Sequence, residues 1–284
     1  MKVVVTGVQG QLGYDLVKQL EAKNHQVYGV GRKELDISDE AAVKAFIKKI
    51  NPDAILHSAA YTNVDKAEED KETAYTVNAL GTKYLAEAAK KAGAKMVLVS
   101  TDYVFDGTAT EPYEVNHPTK PIGAYGETKL AGEEFLKGIL ERYFIVRTAW
   151  VFGINGNNFI KTMLRLAEDR DELGVVHDQV GSPTYTVDLA RFIIELVESD
   201  KYGVYHATNE GVCSWYEFAL EIFKQAEVEI KVNRLTSNQF PRPAARPNYS
   251  VLSKKRLIEQ GFKTLPNWQD ALAAYLKELK SVKE

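Results

Sequence analysis

The sequence predicts an α/β fold, a doubly wound parallel sheet with a smaller C-terminal lobe. Three observations predict it. A β-branched apolar run at the N-terminus ends in a glycine-rich turn. Short apolar runs then alternate strictly with helix-length segments as far as Trp150, and beyond that residue the alternation loosens. With 284 residues and 45% hydrophobic content, the chain can bury a full core, either as one large domain or as a domain with a smaller lobe.

Residues 2–6 (KVVVT) read as a buried strand, followed by a helix from about Leu12. Strands are expected at 26–30, 53–57, 95–100 (KMVLVS) and 143–147, and helices at 39–50, 73–92 and 125–141. Right-handed crossovers between such strands cover both faces of a parallel sheet. Residues 1–150 form this core; 151–284 form mainly the second lobe, with some segments returning to the core. Glycine and asparagine crowd 153–158, where the lobe begins. Its expected helices lie at 158–168, 187–198, 214–225 and 268–279, the last with Trp268, Leu272, Tyr275 and Leu276 at helical spacing. The stretch 241–247 (PRPAARP) must be extended or turning, because its prolines lack amide donors and bias their predecessors away from helix.

The net charge of −3 carries no electrostatic footprint for nucleic acid or an anionic membrane, so small-molecule chemistry is the default. Cys213 is the single cysteine, which excludes an internal disulfide framework and a multi-thiolate zinc site. The N-terminus shows no secretory pattern, and no apolar run approaches the roughly 20 residues that span a bilayer. A cytoplasmic protein is expected. His25, His57, His117, His177 and His206 are scattered without ligand spacing, and no metal is predicted.

The first strand runs into Thr6-Gly7-Val8-Gln9-Gly10-Gln11-Leu12-Gly13, a Gly-x-x-Gly-x-x-Gly spacing. Gly7 permits a tight turn, Gly10 lets backbone amides approach a pyrophosphate, and Gly13 allows close helix–strand packing. The following helix offers its N-terminal amides and dipole to the anion. Its strand–turn–helix context favours a dinucleotide site in a Rossmann-like sheet over an ordinary glycine-rich turn. After the second strand, Arg32 suits the extra phosphate of NADPH by bidentate pairing, or is simply a solvated cation. Asp36 either contacts the adenosine end or caps the helix near Asp39. NADPH is the expected cofactor, with NADH left open.

Tyr125 and Lys129 are four residues apart, on one face of a predicted helix. A cation beside a phenol with an ordinary pKa of about 10 favours the phenolate and pulls that pKa toward the working range. Thr101 follows the strand 95–100 at its carboxyl edge, where open α/β sheets bind ligands. There Thr101 can hydrogen-bond a carbonyl oxygen, Tyr125 can deliver its proton, and Lys129 can tune Tyr125.

The sequence resembles the extended short-chain dehydrogenase/reductases, and within them the dTDP-4-dehydrorhamnose reductase family, over nearly its whole length. The motifs that carry the resemblance are TGVQGQLG at 6–13, AAYTNVDKAE at 59–68, STDYVFDG at 100–107 and YGETKLAGE at 125–133. RTAWVFG at 147–153, DQVGSPT at 178–184 and ARPNYSVL at 245–252 extend it into the second lobe. The resemblance implies Thr101, Tyr125 and Lys129 as the catalytic set. It implies cofactor contacts at Gly10, Gln11 and Leu12, at Asp36 and Ile37, and at Ala60, Tyr61 and Thr62. Substrate contacts would come from Thr101, Asp102, Tyr103, Tyr125 and Trp150, Trp150 being either a wall for the sugar or a structural tryptophan. Arg246 either reaches a substrate phosphate or stabilises its turn.

The implied reaction reduces the 4-keto group of dTDP-4-dehydro-L-rhamnose with NAD(P)H, for cell-surface polysaccharide. Related dehydratases place Asp-Glu after the catalytic threonine, whereas this chain has Asp102-Tyr103, which disfavours elimination. A nucleotide-sugar epimerase and a non-catalytic, cofactor-binding regulatory subunit are the alternatives. Some relatives hold a divalent ion between subunits with acidic residues, and Asp15 is the nearest candidate here, without a complete cluster. A homodimer is admitted but not determined.

Overall fold

The computed structural model describes residues 1–283. Its core alternates β1 (Lys2–Thr6), α1 (Gln11–Ala22), β2 (Gln26–Val30), α2 (Glu40–Ile50) and β3 (Ala54–His57). The chain continues through α3 (Val64–Glu69), α4 (Lys71–Tyr75), a π-helical segment (Thr76–Leu80), α5 (Gly81–Ala92), β4 (Lys95–Thr101), α6 (Ala124–Ile139) and β5 (Tyr143–Thr148). A sixth parallel strand, Gly203–His206, completes the sheet in the order Gly203–His206, β5, β4, β3, β1, β2. Strand order reverses between β1 and β3, and ligands of open α/β sheets bind in the crevice at such a switch point.

Side chains along β1 alternate between two cores. Val3 and Val5 pack with Leu12, Leu16, Val97 and Phe144 on one face, while Val4 packs with Val43, Ile55, Leu85 and Ile145 on the other. This is the period-2 pattern of a strand buried on both sides. A third core gathers Phe152, Ile160, Phe218, Trp268, Leu272 and Tyr275 from the second lobe. There α7 (Phe159–Glu168), the C-terminal helix Trp268–Lys283 and the parallel strand pair Glu172–Val176/Lys231–Leu235 assemble.

Two expectations are corrected. The helix near 187–198, expected in the lobe, is α8 (Thr186–Glu198), and it packs on the sheet: Leu189, Ile193 and Val197 join the core of α1, and Gln19 Nε2 donates to the Val187 carbonyl at 2.9 Å. Its exposed residues Arg191, Glu195 and Glu198 fall on one face at i, i+4 and i+7, which leaves a wide apolar face for the sheet. The single helix expected over 73–92 is broken by the π-helical turn around Asn78. Buried Asn78 accepts from the Tyr61 amide at 2.8 Å, and donates to the Tyr61 carbonyl at 3.2 Å and to Thr128 Oγ1 at 3.0 Å. One side chain thus ties the loop after β3 to α6, and π-turns recur where such a side chain must be presented.

Removing this clamp leaves buried polar groups on both partners. Asn78→Ala is therefore expected to lose about 1–3 kcal/mol of stability, read as a lower urea midpoint at unchanged slope.

Candidate active site

The β1–α1 turn is built by close approach. Gly7 has φ +75°, and a Cβ there would lie 2.7 Å from the Ala59 amide nitrogen; a Cβ on Gly13 would lie 2.2 Å from the Gly7 carbonyl oxygen. Gly7 and Gly13 are thus required by the protein's own packing. Gly10 is the N-cap of α1 and carries no side chain to cap it, so first-turn amides are available to an anion. Leu12 has only its backbone amide to offer such an anion, since its side chain is buried in the core. The Gln11 side chain instead reaches the second lobe, accepting from the Gly153 amide at 2.9 Å and Asn158 Nδ2 at 3.0 Å.

Across the switch point, Thr6 organises the loop after β3. Its carbonyl accepts from Ser58 Oγ at 2.6 Å and its hydroxyl accepts from the Ala59 amide at 3.2 Å. His57 bridges Thr6 Oγ1 and Thr82 Oγ1 at 2.8 and 3.1 Å; burial, aided by the Lys129 charge, pushes its pKa down to about 3. It is a neutral strut. Ala60 and Tyr61 are half-buried beyond it, and Thr62 is exposed.

At the end of β4, Thr101 is buried, donates to Asp102 Oδ1 at 2.9 Å and accepts from the Tyr103 amide at 3.2 Å. Tyr125, in the first turn of α6, packs edge-on against Tyr103 with ring centroids 5.5 Å apart. Burial and the Asp102 charge push the Tyr125 phenol up to about 12, with a smaller opposing pull from the Thr101 hydroxyl. The expected depression by Lys129 is not seen. Buried Lys129 donates to the Val99 carbonyl at 2.7 Å, and desolvation lowers its own pKa to about 8, so the ammonium is spent on β4 rather than on the phenol.

One turn on, fully buried Glu133 accepts from Arg147 Nε at 2.9 Å and Nη2 at 2.7 Å, and from Ser100 Oγ at 2.6 Å. This seam locks α6 to the ends of β4 and β5.

Other expected residues sit differently from one another. Arg32 is exposed, with Nε 3.7 Å from Asp36 Oδ2. Asp36 accepts from the Ser38 amide and hydroxyl at 3.0 and 2.6 Å, which hold its carboxyl below the ordinary range against the opposing effect of burial; Asp39, not Asp36, caps α2. The Ile37 side chain is buried against α5. Trp150 has a left-handed φ of 49°, strain that a bulky residue bears only where the surroundings fix it, and it stacks on Trp215 at 3.6 Å between centroids. Arg246 is engaged in a fork with Asp65 of α3, at 3.1 and 3.2 Å, and Arg242 lies 3.5 Å from the same carboxylate. The proline-rich segment is thereby clamped to the core. Buried Asp15 accepts from the Thr186 hydroxyl, and among the described residues no group of three or more His, Cys, Asp or Glu side chains is disposed to hold a metal ion.

Residues 1–281 match the family model of the RmlD substrate binding domain. A dTDP-4-dehydrorhamnose reductase from Aggregatibacter actinomycetemcomitans is 42% identical over 95% of this chain and 97% of its own length. The chain belongs to the dTDP-4-dehydrorhamnose reductase family. Among solved structures, the family member from Clostridium acetobutylicum is 47% identical, with TM-score 0.97 over 99% of this chain and all of that one. The Bacillus anthracis reductase in complex with NADP is 43% identical, with TM-score 0.96 over 98% of this chain and 99% of that one.

Sequence reading missed Asn78, Glu133 and Trp215 in this family member. Glu133 stands at i+8 from Tyr125 on the same helix face, a spacing that marks it once the helix is known. Asn78 and Trp215 carry no such signal. The uncapped α1 terminus at the switch point, beside the close-packed glycine turn, fits the pyrophosphate of a dinucleotide.

Asp102 is buried, its Oδ2 has no hydrogen-bond partner among the described residues, and burial raises its pKa to about 6 despite the Thr101 hydrogen bond. An unfolded aspartate titrates near about 3.9, so between these values the folded state holds the extra proton and stability falls as pH rises. Asp102→Asn should remove this contribution. Its melting temperature relative to wild type should be higher at pH 8 than at pH 4; a difference independent of pH would contradict the assignment.

Proposed function

We propose that the chain reduces the 4-keto group of dTDP-4-dehydro-L-rhamnose to dTDP-L-rhamnose, with NADPH as hydride donor and NADH as an alternative. Full-length membership of a reductase family carries this reading, and the NADP complex of the Bacillus anthracis relative supports the cofactor. The product would serve cell-surface polysaccharide synthesis. Residues 1–150 serve mainly the cofactor and 151–284 mainly the sugar nucleotide, with α8 and Gly203–His206 belonging to the sheet.

The first-turn amides of α1 would hold the pyrophosphate, Arg32, Asp36 and Ile37 would border the adenosine, and Ala60, Tyr61 and Thr62 would line the middle of the cofactor. When bound, reduced nicotinamide supplies the hydride. Tyr125 keeps its proton through neutral pH, because burial disfavours the phenolate. An alkoxide developing at sugar carbon 4 is a stronger base than the phenolate, so it takes that proton. The Thr101 hydroxyl, which donates to Asp102 in the free protein, would turn its one hydrogen to the same oxygen. Lys129 lies one turn from Tyr125 with its ammonium on the Val99 carbonyl, and so would hold α6 and its phenol in place against β4. Asp102 and Tyr103 border the sugar, and Trp150, backed by Trp215, offers it an apolar wall. Arg246 would act through its fork with Asp65, holding the segment 241–247 to α3. Tyr103 follows Asp102 where elimination would need a second carboxylate, and burial holds its phenol neutral.

The test follows the loss of reduced-nicotinamide absorbance with dTDP-4-dehydro-L-rhamnose. Turnover by wild type is expected to fall by about 10²-fold or more in Tyr125→Phe, the scale of a positioned general acid. Thr101→Val should lower kcat with little change in cofactor affinity. A folded, NADPH-binding wild type that leaves the substrate unreduced would overturn the proposal.

A further inference from the structure

The end of β2 carries an acid that the family reading does not use. Glu34 folds back so that Oε2 accepts from the amide of Gly31, the residue after β2, at 2.9 Å. The preceding carbonyl, Val30, accepts from the Gly7 amide at 2.9 Å, which fixes this strand end against the glycine turn. A Cβ on Gly31 would lie 2.9 Å from Gln9 Cδ and 3.0 Å from Glu34 Oε2, so the carboxylate and the Gln9 side chain converge on the same strand end. An acidic group at the end of the second strand is what accepts from the ribose hydroxyls of NADH. Asp36 is less suited, since its Oδ1 takes both Ser38 donors and its Oδ2 lies beside the Arg32 guanidinium at 3.7 Å, whereas Glu34 spends one oxygen on a single amide.

Arg32, two residues before Glu34, has the opposite chemistry. Its side chain is 83% exposed and its separation from Asp36 exceeds hydrogen-bond distance, which leaves the guanidinium open to a phosphate fork.

We infer that Glu34 is a cofactor-specificity residue that opposes Arg32: Glu34 accepts from the ribose of NADH and repels the 2′-phosphate of NADPH, while Arg32 attracts that phosphate. The inference rests on the nicotinamide-dependent reading above and names the pair that sets its cofactor ratio. Either side chain, changed alone, tips that ratio.

The two adenosine fragments that differ only in the contested group test this without turnover. Calorimetric titration would measure 2′,5′-ADP and 5′-AMP on wild type, Glu34→Gln and Arg32→Gln. Glu34→Gln, which keeps an acceptor for Gly31, is expected to tighten 2′,5′-ADP relative to 5′-AMP on the order of tenfold, the size of one screened charge interaction. Arg32→Gln should shift that ratio the other way, and the NADPH:NADH ratio of kcat/KM should follow both. An unchanged affinity ratio in Glu34→Gln, with both fragments bound by wild type, would overturn this inference alone. Wild type that binds neither fragment would overturn the nicotinamide reading along with it.

Discussion

The candidate site depends on one buried ion pair. Glu133 and Arg147 are both removed from solvent and joined by two charge-assisted hydrogen bonds, with Ser100 completing the carboxylate's shell and the Val115 carbonyl accepting from Arg147 Nη1 at 3.2 Å. Two charges are tolerated there only because almost every donor and acceptor is matched; removing one partner of such a pair typically costs about 3–5 kcal/mol. The geometry matters as much as the energy. Ser100 immediately precedes Thr101, and Glu133 lies two helical turns beyond Tyr125, so the pair fixes the register of α6 against β4. With Lys129 bound to Val99 between them, the hydroxyl, the phenol and the ammonium have little freedom to separate.

Electrostatics in this pocket run in one direction. Asp102 and Tyr125 are pushed up, while Lys129 and His57 are pushed down. Each shift favours the neutral form, as expected where water is excluded and no single counter-charge dominates. Behind them, Glu133 and Arg147 are paired with each other at 2.7 Å. A neutral phenol facing a reducible carbonyl is suited to donating a proton as negative charge develops, and adds no charge of its own to the crevice.

Much of this was legible in the sequence, for identifiable reasons. The β1–turn–α1 unit is local: its glycines answer to contacts within a few residues or with the neighbouring strand, and strand–helix alternation carries the parallel sheet as far as β5, though not its sixth strand Gly203–His206. Tyr125 and Lys129 were picked out by their four-residue spacing and Thr101 by its place at a strand end, with the family resemblance joining the three, and α6 and β4 bring them to one end of the sheet. Features set by distant partners were not. The π-turn exists because Asn78 meets Tyr61 and Thr128, the Trp150 strain because Trp215 backs it, and the sheet-packed α8 because α1 offers an apolar face. Lys129 shows the same limit: its place on the helix face was readable, but its choice of Val99 over Tyr125 was not.

The central claim is that Tyr125 is a proton-holding phenol in the free protein, and NMR titration of ζ-¹³C-tyrosine tests it most directly. The Tyr125 resonance is identified by its disappearance in Tyr125→Phe and followed from neutral to alkaline pH. The account predicts a neutral phenol shift that stays flat beyond about pH 9, past the point where an unperturbed tyrosine begins to ionise. A Tyr125 resonance that titrates near neutrality would contradict it, and would mean that Lys129 acts on the phenol rather than on β4.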